Sequence, residues 1–178
     1  VEVTTPPEEI STYASLCGSC HGTMGQGSAL GPQIQEPVSG YATWVIRNGR
    51  TGNYSYTVSM PDFDSETLND GELDGILDFL SSQPKPTSGE GLYKVYCGNC
   101  HGEMGSGGIV GKNIARDARN DPEELLDAAR RGEGGQYYAD RGDYMPSWTA
   151  DELSNEELWL ISQYLSGQDN PMPPSWSK

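Results

Sequence analysis

The sequence predicts an all-α protein built from two tandem copies of one helical domain. Apolar residues recur at helical spacing behind clear helix-start signals, and no stretch of Val, Ile or Thr alternates long enough for a strand. The chain also repeats itself. Residues 13–34 align with 93–114 at an offset of 80 without a gap, and eleven of the 22 positions are identical. Residues 60–83 align with 145–168 at an offset of 85, with nine identities in 24 positions, and between these blocks Arg47-Asn48-Gly49 matches Arg130-Arg131-Gly132 at an offset of 83. The drift in offset places small insertions in the connecting loops of the second copy, where added residues cost little. The segment Ser82-Gln83-Pro84-Lys85-Pro86-Thr87-Ser88-Gly89 carries two prolines and reads as a stiffened join. The expected organisation is a first domain over 1–83, a linker at 84–88 and a second domain over 89–178.

The elements follow in the same order in both copies. A short helix with Ile10, Tyr13 and Leu16 on its apolar side, or Leu92, Tyr93 and Tyr96 in the second copy, opens each domain. A glycine-rich loop comes next, then a middle helix over Ser39–Asn48 and Pro122–Arg131. Asp121-Pro122-Glu123-Glu124 supplies an N-cap, a proline in the first turn and acids facing the helix dipole. The last helix is the clearest. Ser154-Asn155-Glu156-Glu157 reads as a capping box, with Asn69-Asp70-Gly71-Glu72 as its weaker counterpart. Behind the caps, Leu73, Ile76, Leu77 and Leu80, and then Leu158, Ile161 and Leu165, form an apolar face.

Composition sets a problem for this fold. The 178 residues include only 29 Leu, Ile, Val and Phe, against a net charge of −15, with 23 Gly and 12 Pro. Such a chain falls among disordered proteins unless something other than amino acids fills its core. The longest apolar run is four residues, Leu158–Ile161, too short for a membrane-spanning helix. The start lacks the basic and apolar regions of a signal peptide, so the sequence reads as a mature or trimmed form. Acidity spread over both halves makes nucleic acid an unsuitable partner.

The four cysteines resolve the problem. They form two identical patterns, Cys17-Gly18-Ser19-Cys20-His21 and Cys97-Gly98-Asn99-Cys100-His101. C-x-x-C-H is the attachment signature of haem c. Two thiols one helical turn apart add across the two vinyl groups of a porphyrin, and the adjacent imidazole is aimed at the iron. A zinc ribbon would place its knuckles about 15–20 residues apart, a thioredoxin-like pair needs a βαβ setting, and two disulfides would leave the histidines and the repeat unexplained. The expectation is two haem c groups, with Cys17, Cys20, Cys97 and Cys100 as thioethers and His21 and His101 on the irons.

The sixth ligand follows by elimination. Both histidines and all four cysteines are used, leaving five methionines. Met24 and Met104 sit three residues after their histidines on the same side, so they read as loop packing. Met172 lies in a proline-rich tail without a counterpart in the first copy. Met60 and Met145 are repeat-related, each followed by proline, with Phe63 and Trp148 three positions later. They are the expected axial ligands. Thioether is a soft ligand that favours ferrous iron and raises the potential. The competing reading makes them packing residues, with an open or Lys-ligated iron.

These residues resemble the class I c-type cytochromes. The shared features are Tyr13 and Tyr93 four residues before the first cysteine, the CxxCHG segment, the small-residue loop, the distal Met-Pro and the amphipathic last helix. The whole chain, apart from tails 1–8 and 169–178, is similar to tandem dihaem electron carriers. The resemblance implies two cytochrome c-like domains, each wrapped around one covalent haem. It also implies that a proline carbonyl in the glycine loop accepts the proximal His N–H. Pro32 occupies that position in the first copy and Lys112 in the second, a departure that suggests unequal haem potentials. Other features read blandly. Gly25-Gln26-Gly27 and Gly105-Ser106-Gly107 are haem-edge turns rather than phosphate loops, and Asp62, Asp64 and Glu66 form a solvated surface rather than a calcium loop. Tyr54, Tyr56, Tyr137 and Tyr138 either reach haem propionates or cover the distal face.

The functional expectation is an electron-transfer protein, not an enzyme, passing one electron per haem between partners of an extracytoplasmic respiratory or photosynthetic chain. Its redox partners are expected to carry basic docking surfaces. The alternatives are a small dihaem enzyme or gas-binding protein with an open iron, or a cytochrome subunit of a larger oxidoreductase. An open-iron enzyme needs a distal acid–base group, and no histidine is spare. Haem c attachment implies a periplasmic or extracytoplasmic location, and Val1 to Glu9 reads as a tether remnant or a free start.

Overall fold

The computed structural model describes residues 8–51, 58–108, 111–139 and 144–177. The chain divides into two compact units, Val1–Pro84 and Lys85–Lys178. Unit one contains α1 (Glu8–Leu16), α2 (Gly18–His21), α3 (Ser39–Asn48) and α4 (Asp70–Ser81). Unit two contains α5 (Gly89–Tyr96), α6 (Gly98–His101), α7 (Ala115–Asn120), α8 (Pro122–Arg131) and α9 (Asn155–Ser166). Both units are helical among the described residues, as the sequence predicts. Among the described residues the extended pairings are two isolated antiparallel bridges, Arg50 with Met60 and Glu133 with Met145. No helix among them is long and apolar enough to cross a membrane.

The last helix of each unit is set by its cap. The Asn69 side chain accepts from Glu72 N while Glu72 accepts from Asn69 N, and Ser154 and Glu157 repeat the exchange, so both capping boxes are complete. In unit one, α1 packs on α4. Among the described residues the buried core there is small: Tyr13, Leu68, Leu73, Ile76, Leu77 and Leu80. The middle helix α3 contributes no fully buried residue, and only Ala42 and Ile46 pack against that core.

Unit two is better furnished. Its core joins Leu92, Tyr93, Leu125, Ala129, Leu153, Leu158, Ile161 and Leu165 with two residues that the repeat does not account for, Ala118 and Trp176. The insertion expected as loop between the Ile114 and Pro122 blocks is folded as α7. Its small residues Ala115 and Ala118 are buried, and the helix lies against α9. The C-terminal tail, outside the family resemblance, also belongs to the core. The Trp176 side chain is fully buried, stacks edge-on against Trp159 at 5.2 Å, and its carbonyl accepts from Asn155 Nδ2 at 2.7 Å. Within 84–88, Lys85 and Ser88 are anchored in unit two. Lys85 Nζ donates to Glu157 at 2.7 Å and to the Glu152 carbonyl at 2.8 Å, and Ser88 caps α5 by accepting from Gly91 N.

Candidate haem-binding sites

Each Cys-x-x-Cys-His segment is a single tight helical turn joined at an angle to the helix before it. In unit one, Cys17 N donates to Tyr13 O and His21 N donates to Cys17 O, both at 2.9 Å. Gly22 then ends the turn with φ of 78°. Unit two repeats the bonds at 2.9 Å through Tyr93, Cys97 and His101, and Gly102 ends the turn with φ of 74°. That places two thiols on one turn with the imidazole directly after them. A buried tyrosine fastens the turn to its helix: Tyr13 Oη donates to Gly22 O and Tyr93 Oη to Gly102 O, each at 2.6 Å. Burial pushes the Tyr13 pKa up to about 12 and raises that of Tyr93 as well, so both hydroxyls remain donors.

The two imidazoles are held alike. His21 and His101 are each 8% exposed. The His21 Nδ1–H donates to Pro32 O at 2.8 Å, and the His101 Nδ1–H donates to Lys112 O at 2.9 Å. The acceptor is a backbone carbonyl, so exchanging Pro for Lys leaves the contact intact. Fixing the proton on Nδ1 leaves the Nε2 lone pair for a metal. Burial lowers both imidazole pKa values against the opposing hydrogen bond, with the Arg50 charge lowering His21 further and the Lys112 charge lowering His101, so the rings stay neutral. Glycine leaves room opposite each ring. A Cβ on Gly31 would meet the His21 ring and Cys20 O at 3.0 Å, and one on Gly111 would meet Cys100 O at 2.6 Å.

None of the four cysteines is in a disulfide, and all are partly buried. Burial, with the neighbouring thiol adding to it, pushes Cys17 up to about 11 and Cys97 to about 12, which keeps both protonated and poor at thiol exchange. Two unbridged thiols on one turn, followed by a neutral imidazole with a free Nε2, form a donor set that fits a covalently attached haem.

The methionine segments are pinned from both ends. Met60 N donates to Arg50 O at 2.8 Å and Arg50 N to Met60 O at 3.0 Å. Met145 and Glu133 exchange the corresponding bonds at 3.0 and 2.8 Å. The preceding glycines make that approach possible. Gly49 has φ of 69° and Gly132 φ of 62°, and a Cβ on either would lie within 2.9 Å of the methionine carbonyl. After the Met-Pro pair, Phe63 N donates to Ile46 O and Trp148 N to Ala129 O, tying the segment to the middle helix.

Two arginines complete the clamp. Arg47 Nη1 donates to the carbonyls of Phe63, Asp64 and Leu68, while Nη2 pairs with Asp70 at 2.7 Å. Arg130 does the same with the Trp148 and Thr149 carbonyls and Asn155 Oδ1. The planar guanidinium serves several carbonyls at once, which a lysine ammonium would do less rigidly. Sequence reasoning gave these arginines no role, although the repeat match at Arg47 and Arg130 was their signal.

The remaining methionines lie elsewhere. Met24 and Met104 are about half exposed, and Met172 packs against the unit-two core. Lysine ligation has little to draw on: residues 1–84 contain no lysine. In unit two, Lys85 and Lys94 are paired with Glu157 and Glu90. Asp64 is occupied in its own turn, accepting from Glu66 N and Thr67 N at 3.1 and 2.8 Å. Tyr137 is exposed and Tyr138 packs edge-on against Tyr144 at 4.9 Å, whereas Tyr54 and Tyr56 lie outside the described residues.

The profile of one protein family, described as cytochrome C oxidase, cbb3-type, subunit III, matches the chain twice, over residues 8–80 and 84–165. No curated protein matches it. Each match spans one whole set of tyrosine latch, Cys-x-x-Cys-His turn, Met-Pro bridge and last helix. The chain therefore belongs to the family of cbb3-type cytochrome c oxidase subunit III, as two c-type cytochrome domains in tandem.

Proposed function

We propose that the protein is a dihaem electron carrier, with Cys17, Cys20, His21 and Met60 holding one haem and Cys97, Cys100, His101 and Met145 the other. The observation that supports this reading is the repetition of the same two parts in both units. A buried neutral imidazole is oriented by a carbonyl, and a Met-Pro segment is fixed by a glycine, a bridge and an arginine, in both units. Bound haem supplies a one-electron ferric–ferrous couple. The protein's own groups hold the imidazole tautomer, bury the imidazoles and fix the methionine backbone. Two six-coordinate irons leave no open position for peroxide or gas, which favours a carrier over an enzyme. Intact mass is expected to exceed the bare chain by two haems, with no titratable thiol, and the ferrous protein is expected to leave its visible spectrum unchanged under carbon monoxide. A bare-chain mass ends the haem reading; ready gas binding at both irons moves the protein to the enzyme or sensor class.

The family description favours a second reading, in which the protein serves as a cytochrome subunit of a larger oxidoreductase. Both readings place it outside the cytoplasmic membrane, where haem c is attached, and both need a partner of opposite charge. Residues 1–84 carry eleven Asp and Glu against two basic side chains, Arg47 and Arg50, both beside the Met60 segment. The rest of that unit is purely acidic. Electron exchange with a basic redox partner is expected to slow as salt rises, through the association rate, because screening sets in over about 8 Å at physiological ionic strength. Stopped-flow rates across a salt series check this; a flat or rising rate points to docking through an apolar haem edge.

A further inference from the structure

The two methionine bridges share a backbone and differ in charge. The residue paired with Met60 is Arg50; the residue paired with Met145, at the matching position after the helix-ending glycine, is Glu133. Because Gly49 and Gly132 force the same close approach, the side chains at 50 and 133 start from equivalent places relative to their methionines. We propose that this substitution separates the two reduction potentials, making the haem of unit one the stronger electron acceptor and the resting place of the first electron. The inference rests on the ligation proposed above.

The sign follows from electrostatics. A cation near the iron favours the form holding one more electron, and an anion favours the oxidised form. Arg50 is half-buried, so water screens it less than it screens the exposed Glu133. Its charge also acts on the His21 imidazole. Lys112 opposes the difference by bringing a cation to His101. It is exposed, so water screens it more than it screens the half-buried Arg50. The more numerous carboxylates of unit one work against the proposal too, but they are spread over a solvated surface and act through a screened medium.

The test is a potentiometric titration of the holoprotein, read from the visible spectrum. Two one-electron steps are expected, with electron sharing favouring one haem by about tenfold or more, equivalent to about 59 mV for a one-electron couple. Arg50→Gln should lower the upper step by roughly that factor and leave the lower step in place. Arg50→Lys should restore most of it. Glu133→Gln, at an exposed position where folding is not at stake, should raise the lower step by a smaller amount, roughly threefold in the sharing constant. The far-red charge-transfer band of methionine-bound ferric iron must persist in every variant. The proposal is overturned if Arg50→Gln moves the lower step or neither, if Arg50→Lys fails to restore the shift, or if the shift appears only with loss of that band. Failure of the ligation reading is visible separately, as missing haem mass or an absent band in the unaltered protein, and it removes the proposal with it.

Discussion

Produced without haem, by replacing Cys17, Cys20, Cys97 and Cys100 with serine, the chain is expected to lose cooperative folding. Thermal and urea unfolding followed by circular dichroism should show no sharp transition, and amides of unit one should exchange fastest. Among the described residues of unit one, six form the buried core, and the middle helix α3 contributes none of them. A domain of that size is marginal even with an ordinary core. A bound prosthetic group that the unfolded chain does not hold adds its binding free energy to folding. Unit two should keep more residual structure, since α7 and Trp176 give it contacts that unit one lacks. A cooperatively folded cysteine-free chain would contradict the argument from composition.

Replacing either of the methionines proposed as axial ligands should have the next largest effect. Met60→Ala or Met145→Ala is expected to open one iron, so that the ferrous protein binds one carbon monoxide per chain, and the double variant two. The potential of the affected haem should fall, because thioether sulfur favours the ferrous state. The methionine backbone is held by the bridge and by Arg47 or Arg130, and alanine keeps those bonds, so the loss is confined to the sulfur. Gas binding that is unchanged in both variants would assign Met60 and Met145 to packing.

Much of this architecture was legible in the sequence because it rests on local signals. The middle helices run over Ser39–Asn48 and Pro122–Arg131 and the last helices follow their capping boxes, since caps, glycine stops and helical periodicity act within one or two turns. The helix α7 was hidden because its six residues offer only Ala115 and Ala118 to the core, too few for a periodic pattern. Trp176 was hidden because a tail packs by where the chain leads it, and nothing nearby in sequence marks α9 as its target. The guanidinium forks of Arg47 and Arg130 bind backbone carbonyls, which have no sequence identity to match. The same fact explains Lys112. A hydrogen bond to a main-chain oxygen survives a change of side chain, so the departure from proline alters charge rather than contact.

The bridges also decide which parts of the molecule can change. Nine residues separate Arg50 from Met60 and eleven separate Glu133 from Met145. Because each bridge closes the base of its loop, the second copy absorbed two more residues without disturbing the backbone bonds at its methionine. The intervening stretch is in effect a cassette, closed at its base by one pair of hydrogen bonds and one glycine. Selection can lengthen it, recolour its charge or refit it to a new partner while the redox centre stays as it was. The turn before each methionine would then be where duplicated domains of this kind part company first, with the donor set beneath them the last thing to drift.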